Sequence, residues 1–445
     1  MEAAKTEKTM TYDEVLDYME SLQGYGIVPG LTNVANLCEK LGNPQNDLQF
    51  VHIAGTNGKG STLAFISTIL KEAGYRVGRY ISPTIFEYRE RFQINGRMIT
   101  KKDLCRLMME VKEACECLMK EGKPHPTPFE VETALSFLYF KEQKCDLVVL
   151  ETGMGGTLDA TNIIQNTLVA VITSVSMDHM GMLGNSLSAI AEQKAGIIKP
   201  GCIVVSSMQQ REVLEVLEEK CQETNVSLSV TNTRQIRSVK SSLERQKFTY
   251  DTYENLEIPL IGRYQISNAV LAVEVIRTLA NCGYPVSEKA IYKGLKETKW
   301  PGRFDVLCKK PLFIADGAHN RDGAMRLAQS IEFYFTNKKI IYIMGMLRDK
   351  EQEEIIKMTH FYAQQILTVP TKGSRGTSSY ELACVVKKYH ENVTALDSVQ
   401  EAVELSFLMA DKDTVIVAFG SLSYLGELIE TVENRDKIRS DSHGK

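Results

Sequence analysis

From about residue 48 onward, short apolar, β-branched runs alternate with longer stretches whose apolar positions recur at helical spacing. "LQFVHIAG", "RVGRYIS", "CDLVVLETG", "TLVAVITSV" and "GCIVVSS" read as buried strands. Between them, "GSTLAFISTILKEAG" predicts a helix ending at Gly74. "TKKDLCRLMMEVKEACECLMKEG" predicts an amphipathic helix with Thr100 as N-cap, and "TPFEVETALSFLYFKEQ" a third. Such alternation predicts a mostly parallel sheet covered by helices. The pattern restarts after "KETKWPGRF", where "PLFIADGAH", "KIIYIMGML", "QILTVPT" and "DTVIVAFGS" are strand-like runs each followed by a helical segment. The expectation is two α/β domains in series, 1–297 and a smaller 298–445. No tandem repeat or low-complexity segment interrupts them.

Composition narrows the class without naming the chemistry. The chain has 445 residues, 43% hydrophobic and 24% charged, enough for two full-sized cores. A formal net charge of −4 gives no global attraction to nucleic acid or to an anionic membrane, so any anionic ligand needs a locally built site. The ten cysteines are scattered without a C-x-x-C, which reads as reduced thiols in a cytoplasmic protein. The polar start "MEAAKTEKTMTYDEV" does not read as a signal peptide, and no apolar run approaches the roughly 20 residues of a membrane span. Nothing in the sequence demands more than a monomer.

The stretch "VHIAGTNGKGSTLAFISTIL" carries the first candidate chemistry. It resembles a phosphate loop, yet its spacing departs from G-x-x-x-x-G-K-[ST]: Lys59 follows Gly55 too soon, and Gly60 stands before Ser61 and Thr62. The physical parts are nonetheless present. A strand delivers Gly-rich backbone to the start of a helix, whose free N–H groups and dipole favour phosphate. Lys59 adds a charge, and Ser61 or Thr62 a hydroxyl for phosphate or Mg²⁺. The plainer reading is a Gly-rich turn before an ordinary helix. The strand–loop–helix context favours the phosphate loop.

Three further polar groups end predicted strands: Ser82 in "YISPTIFEYRERFQING", Glu151 in "LVVLETGMGGTLDATN", and Asp178 with His179 in "SVSMDHMGMLG". Alone they read as a turn serine, a loop charge and a satisfied polar residue. Together at the ends of one parallel sheet they occupy the place where open α/β folds bind ligands.

Ten segments, in order along nearly the whole chain, resemble the folylpolyglutamate synthase and dihydrofolate synthase family within the ATP-dependent Mur ligase superfamily. They include "GYGIVPGLTNVANLCEKLGNPQ", "HIAGTNGKGST", "FEVETALSF", "ETGMGGTLDATN", "DHMGMLGNSLSAIAEQKAGIIK", "WPGRFDV", "IADGAHN" and "AFGSLSYLGE". In that superfamily G-T-N-G-K-[GT]-[ST] is the normal loop, so the spacing is a family variant. The resemblance implies a P-loop ATPase-like first domain and a Rossmann-like glutamate-ligase second domain, with ATP in the cleft between them. Gly55, Thr56, Asn57, Gly58, Lys59, Gly60, Ser61 and Thr62 would hold the phosphates, with Asn268, Arg303 and Asp316 completing the nucleotide site. Ser82, Glu151, His179 and a carbamylated Lys194 would hold one or two Mg²⁺ ions, and a monovalent cation is also compatible. A histidine on Mg²⁺ strains the usual oxygen preference, so that role rests on the resemblance. Gly30, Leu31 and Phe129 would face the pterin acid, and His319 and Ser421 the incoming glutamate. The catalytic set so implied is Lys59, Glu151, His179, Lys194 and His319.

Plainer readings remain for several of these. Lys194 is otherwise a helix lysine beside Glu192, Asn268 a helix-start residue, Arg303 a surface charge, His319 a strand-end histidine and Ser421 part of a Gly-Ser turn. Two positions depart from the family: Thr84 stands where a histidine is frequent, and Thr157 where an arginine is. The implied activity is ATP-dependent addition of L-glutamate to a folate-type acid, either a folyl-glutamate or dihydropteroate. Its partners would be small molecules, with neither nucleic acid nor membrane. The alternatives are a muropeptide ligase of the same superfamily, a regulatory P-loop NTPase, and a silent folate-binding protein.

Overall fold

The computed structural model describes residues 10–26, 28–178 and 180–442. Two compact units divide the chain. The first takes the chain to Val175, the following segment to Thr231, and Val270–Gly294; the second takes Ser176–Asp178, Asn232–Ala269 and the chain from Leu295 onward.

The first unit is built on eight strands: β1 Phe50–Ala54, β2 Val77–Tyr80, β3 Phe92–Ile94, β4 Arg97–Met98, β5 Leu147–Glu151, β6 Thr167–Ile172, β7 Ile203–Ser206 and β8 Leu228–Val230. Their order is β4-β3-β2-β5-β1-β6-β7-β8. The pairs from β2 to β8 are parallel, and β3 and β4 add an antiparallel edge. β1 and β5 are buried along their whole length, which is why they read as continuous apolar runs rather than as alternation.

The helices are set by local signals. Thr100 caps Lys101–Lys120 by accepting from the Asp103 amide, as the sequence predicts. Thr127 and Glu130 form a capping box on Pro128–Glu142, with Pro128 in the first turn, where its missing N–H costs nothing. Lys59–Glu72 has Gly58 as its N-cap, at φ +89°, a conformation that strains other residues. That helix is buried from Ser61 to Leu70, so it sits inside the unit rather than on its surface.

The second unit contains a three-stranded meander, β9 Ile236–Ser241, β10 Gln246–Tyr250 and β11 Tyr253–Ile258, which the sequence pattern does not reveal. It also holds a six-stranded sheet: β12 Asp305–Lys309, β13 Leu312–Ala315, β14 Lys339–Met344, β15 Gln365–Thr368, β16 Val393–Ala395 and β17 Thr414–Phe419. The order is β12-β13-β17-β14-β15-β16, parallel except for β12. All ten cysteines are free thiols. Among the described residues no helix is long and apolar enough to cross a membrane.

Candidate active site

In the first unit the polar residues gather at the C-terminal ends of β1, β2, β5 and β6. β1 ends at Ala54 and the chain turns at once through Gly55, where a Cβ would overlap the Thr173 hydroxyl. The turn is pinned to the end of β6: the Thr56 amide donates to the Ser174 carbonyl at 2.7 Å, and the Ser174 hydroxyl to the Asn57 carbonyl at 3.1 Å. The Lys59 ammonium lies 3.2 Å from the Gly55 carbonyl, 3.4 Å from that of Thr56 and 4.0 Å from Glu151 Oε1. Lys194, buried on the Leu187–Ala195 helix, donates to the same Gly55 carbonyl at 2.9 Å. Two cationic side chains from distant parts of the sequence thus converge on one peptide group.

Thr62 is fully buried in the first turn of the following helix, and its Oγ1 has no partner among the described residues. Stranding a hydroxyl there costs roughly 1–3 kcal/mol unless a ligand or ion takes it up. Glu151, at the end of β5, is only 6% exposed. Register places Tyr80 of β2 opposite Leu150, so Ser82 and Glu151 leave adjacent strands at the same end. A hydroxyl and carboxylate set around a helix N-terminus fits a phosphate with a hard, oxygen-seeking cation. Among the described residues no group of three or more His, Cys, Asp or Glu could hold a metal, and His179 lies outside those residues.

The Gly-rich loop after Glu151 is closely tied. Asp159 Oδ2 accepts from the Met154 amide at 2.8 Å, folding the loop back on itself. Thr157 donates its amide and its hydroxyl to the Gln193 carbonyl, at 2.8 and 3.1 Å. Asn162 Nδ2 donates to the carbonyls of Thr157 and Gly196, at 3.2 and 3.0 Å. The departure at Thr157 therefore fastens this loop to the helix that carries Lys194. Phe129 lies against the loop, with its ring atoms about 3 Å from where a Gly153 Cβ would stand. Leu31 packs on the same apolar cluster as Phe129, while Gly30, at φ +131°, occupies the turn before the Thr32–Lys40 helix. Thr84 lies in the segment whose amides at Ile85, Phe86 and Glu87 donate to the Glu90 carboxylate.

The second unit gathers the remaining predicted residues. Asp316 directly follows β13; its Oδ2 accepts from the Phe304 amide at 2.8 Å and the Tyr264 hydroxyl at 3.4 Å, and its Oδ1 from the Ala318 amide at 2.8 Å. Burial raises its pKa, and the charge of Arg303 opposes that rise. Arg303 donates to the Gly302 carbonyl at 3.0 Å and packs so closely on Gly317 that a Cβ there would overlap the guanidinium. Asn268 donates to Gln265 Oε1 at 2.9 Å. Ser421 is buried and accepts from the Ser423 amide at 3.2 Å.

His319 is held through Nδ1, 2.8 Å from the Gly317 carbonyl. Only a protonated Nδ1 can donate to a carbonyl, which leaves Nε2 as an acceptor in the neutral ring. Burial, aided by the charge of Lys350, lowers its pKa to about 4, so the ring is neutral at physiological pH. Beside it, Asn320 Nδ2 donates to Asp178 Oδ2 at 2.9 Å and Lys350 stands 3.6 Å from Asp178 Oδ1. Sequence reasoning misses Lys350, since "GMLRDKE" carries no motif; Asn320 is quoted in "IADGAHN" but given no role.

Residues 53–276 match the Mur ligase middle domain and residues 302–422 the Mur ligase glutamate ligase domain. A P-loop sheet followed by that domain defines a ligase of the Mur class. The dihydrofolate synthase/folylpolyglutamate synthase of Bacillus subtilis is 36% identical over 80% of this chain and 84% of its own length. A crystal structure of the Thermotoga maritima folylpolyglutamate synthase aligns with a TM-score of 0.81 at 35% identity, covering 95% of this chain and 96% of that one. The Escherichia coli FolC structure in complex with DHPP and ADP aligns at 0.85 with 28% identity, over 96% of this chain and 99% of that one. The chain belongs to the folylpolyglutamate synthase/dihydrofolate synthase family. It is accordingly an enzyme, a ligase, and the muropeptide alternative is set aside.

Proposed function

We propose that the protein uses ATP to join L-glutamate to a folate-type carboxylate through an acyl phosphate. The observation that carries this reading is the convergence of Lys59 and Lys194 on the Gly55 carbonyl beside the unpartnered Thr62 hydroxyl. The similarity to a folate enzyme solved with DHPP and ADP supports the choice of substrates. The ATP-binding part is 1–297 and the glutamate-ligase part 298–445, a division supported by the two matched segments.

A carboxylate and an amine do not condense in water unaided. The acid oxygen attacks the γ-phosphorus of ATP, the bond to ADP breaks, and a mixed anhydride forms. The glutamate amine, having lost a proton, then attacks the acyl carbon, and the tetrahedral intermediate expels phosphate. Lys59 and the loop amides from Gly55 to Thr62 orient the phosphates and offset their charge. Thr62, Ser82, Glu151 and His179 would hold Mg²⁺, which supplies neutralisation of the transferring phosphoryl charge. Lys194 as a carbamate would add oxygen donors beside the same loop, and a monovalent cation could join them. Asn268, Arg303 and Asp316 would contact the nucleotide. His319 Nε2, an acceptor in the neutral ring, would receive a hydrogen bond from the glutamate amine, with Ser421 beside the glutamate and Gly30, Leu31 and Phe129 along the pterin acid. In this reading the enzyme is a cytoplasmic monomer acting on small molecules.

The test is phosphate release from ATP with L-glutamate, comparing dihydropteroate with a reduced folyl-monoglutamate, and mass spectrometry of the products. Turnover with both acceptors makes the enzyme bifunctional, and turnover with folate alone makes it a chain-extending synthase. Turnover with neither overturns the proposal.

A further inference from the structure

One buried polar chain lies beneath the phosphate site and has no part in the chemistry above. His52 is the third residue of β1, fully buried in an otherwise apolar strand. Its Nε2 lies 2.8 Å from the Thr161 hydroxyl, which lies 2.6 Å from Asp159 Oδ1. The Thr161 amide also donates to that carboxylate oxygen, at 3.1 Å, and the other oxygen holds the Met154 amide. A carboxylate only accepts, so the Thr161 hydroxyl donates to Asp159 and must itself accept from His52 Nε2–H. That tautomer leaves Nδ1 as a bare lone pair, in agreement with its having no partner among the described residues. Every proton in the chain then points one way, from β1 to the loop.

The order of contacts matters because of where its two ends lead. β1 runs into Gly55 three residues after His52, and the loop that Asp159 folds begins at Thr152, directly after Glu151. We propose that His52 and Thr161 are positioning residues, which set the Gly-rich loop after Glu151 in register with the phosphate loop. An isoleucine or valine would fill a strand interior at less cost than an imidazole with one nitrogen unpartnered. What the imidazole adds is a directed bond across to the loop. The inference rests on the phosphate-site reading above.

The test measures calorimetric affinity for a non-hydrolysable ATP analogue with Mg²⁺, and thermal midpoints, for wild type, Thr161→Val, Thr161→Ser, His52→Leu and the His52→Leu/Thr161→Val double variant. The nucleotide readout does not depend on the identity of the acceptor acid, so failure of the substrate assignment leaves it interpretable. Thr161→Val should weaken nucleotide binding about tenfold, the size of one broken buried hydrogen bond with its partner stranded. Thr161→Ser should restore binding to near wild type. The double variant should be no weaker than the worse single, because both remove the same connection. A folded Thr161→Val protein that binds nucleotide as wild type does, whatever its loss of melting temperature, would overturn the proposal. If His52→Leu fails to fold, the Thr161 pair decides alone.

Discussion

Lys59 and Arg303 differ in what surrounds them, and their substitutions should differ accordingly. Lys59 lies within 3.4 Å of two loop carbonyls and 4.0 Å from Glu151, and in the proposed mechanism its charge would bear on the transferring phosphate. Lys59→Ala should lower turnover at least about 10³-fold with the protein still folded, and near-normal ligase activity would remove the loop from the mechanism. Arg303, packed on Gly317, should act on nucleotide binding: Arg303→Ala should raise the KM for ATP about tenfold or more and leave that for L-glutamate close to normal. A third cation has no counter-ion among the described residues. Arg79, on β2, is 8% exposed and, among the described residues, meets the neutral oxygens of Gln93 and Thr68, both at 3.5 Å. Its desolvation is poorly offset, and burial lowers its pKa to about 10. Arg79→Met should therefore be neutral or stabilising by up to about 2 kcal/mol in urea unfolding. A marked destabilisation would mean that the guanidinium holds something the apolar side chain cannot.

At the scale of elements, two glycines separate packing from function. Gly78 in β2 has the Phe140 ring 2.8 Å from where its Cβ would stand, and Gly153 has the Phe129 ring at 2.7 Å. Gly78→Ala overpacks the core and should cost roughly 1–3 kcal/mol without changing the KM for either substrate in the folded fraction. Gly153→Ala displaces the loop after Glu151 or the ring of Phe129, and should lower kcat/KM at least about tenfold for little stability. Equal kinetic losses in the two variants would deny the loop its special role. The elements also show how much was readable beforehand. β1, β5, β6, β14 and β17 are largely buried, nearly continuous apolar runs, and the Thr100 cap is legible from a single residue. The meander β9–β11 was not, because β9 is largely exposed and its charges obscure any alternation. The phosphate loop stood out because its glycines are close together in sequence. Lys350 beside Asp178 could not, since that pairing joins residues far apart in the chain.

For the molecule as a whole, two histidines tie stability to pH. His52 is held down to about 3 and His319 to about 4, in both cases chiefly by burial. Each folded pKa lies below the ordinary unfolded value near 6.5, so below that pH the unfolded chain binds protons that the folded chain refuses. The contribution is present in full above about pH 6.5 and is lost as pH falls toward 4 and then 3. Urea midpoints at pH 7.5 and 4.5 should show this. In His52→Gln the fall should be smaller than in wild type by roughly 3 kcal/mol, since glutamine has no such proton to refuse. An unchanged fall would mean that His52 is accessible to protons in the folded state.

The sheet of the first unit also has a consequence in time. β1 lies at its centre, with Phe50 against Val148 on one side and Val51 against Val169 on the other, partners about a hundred residues downstream. A ribosome adding roughly 5–20 residues each second leaves that strand unpaired for several seconds after it emerges. During that interval a fully buried strand, which leads into the phosphate loop, has no neighbour to hydrogen-bond. Newly made chains should therefore be most prone to self-association while translation is between β1 and β6. Truncations ending before about residue 172 should be recovered as aggregates or bound to chaperones, however stable the finished enzyme is.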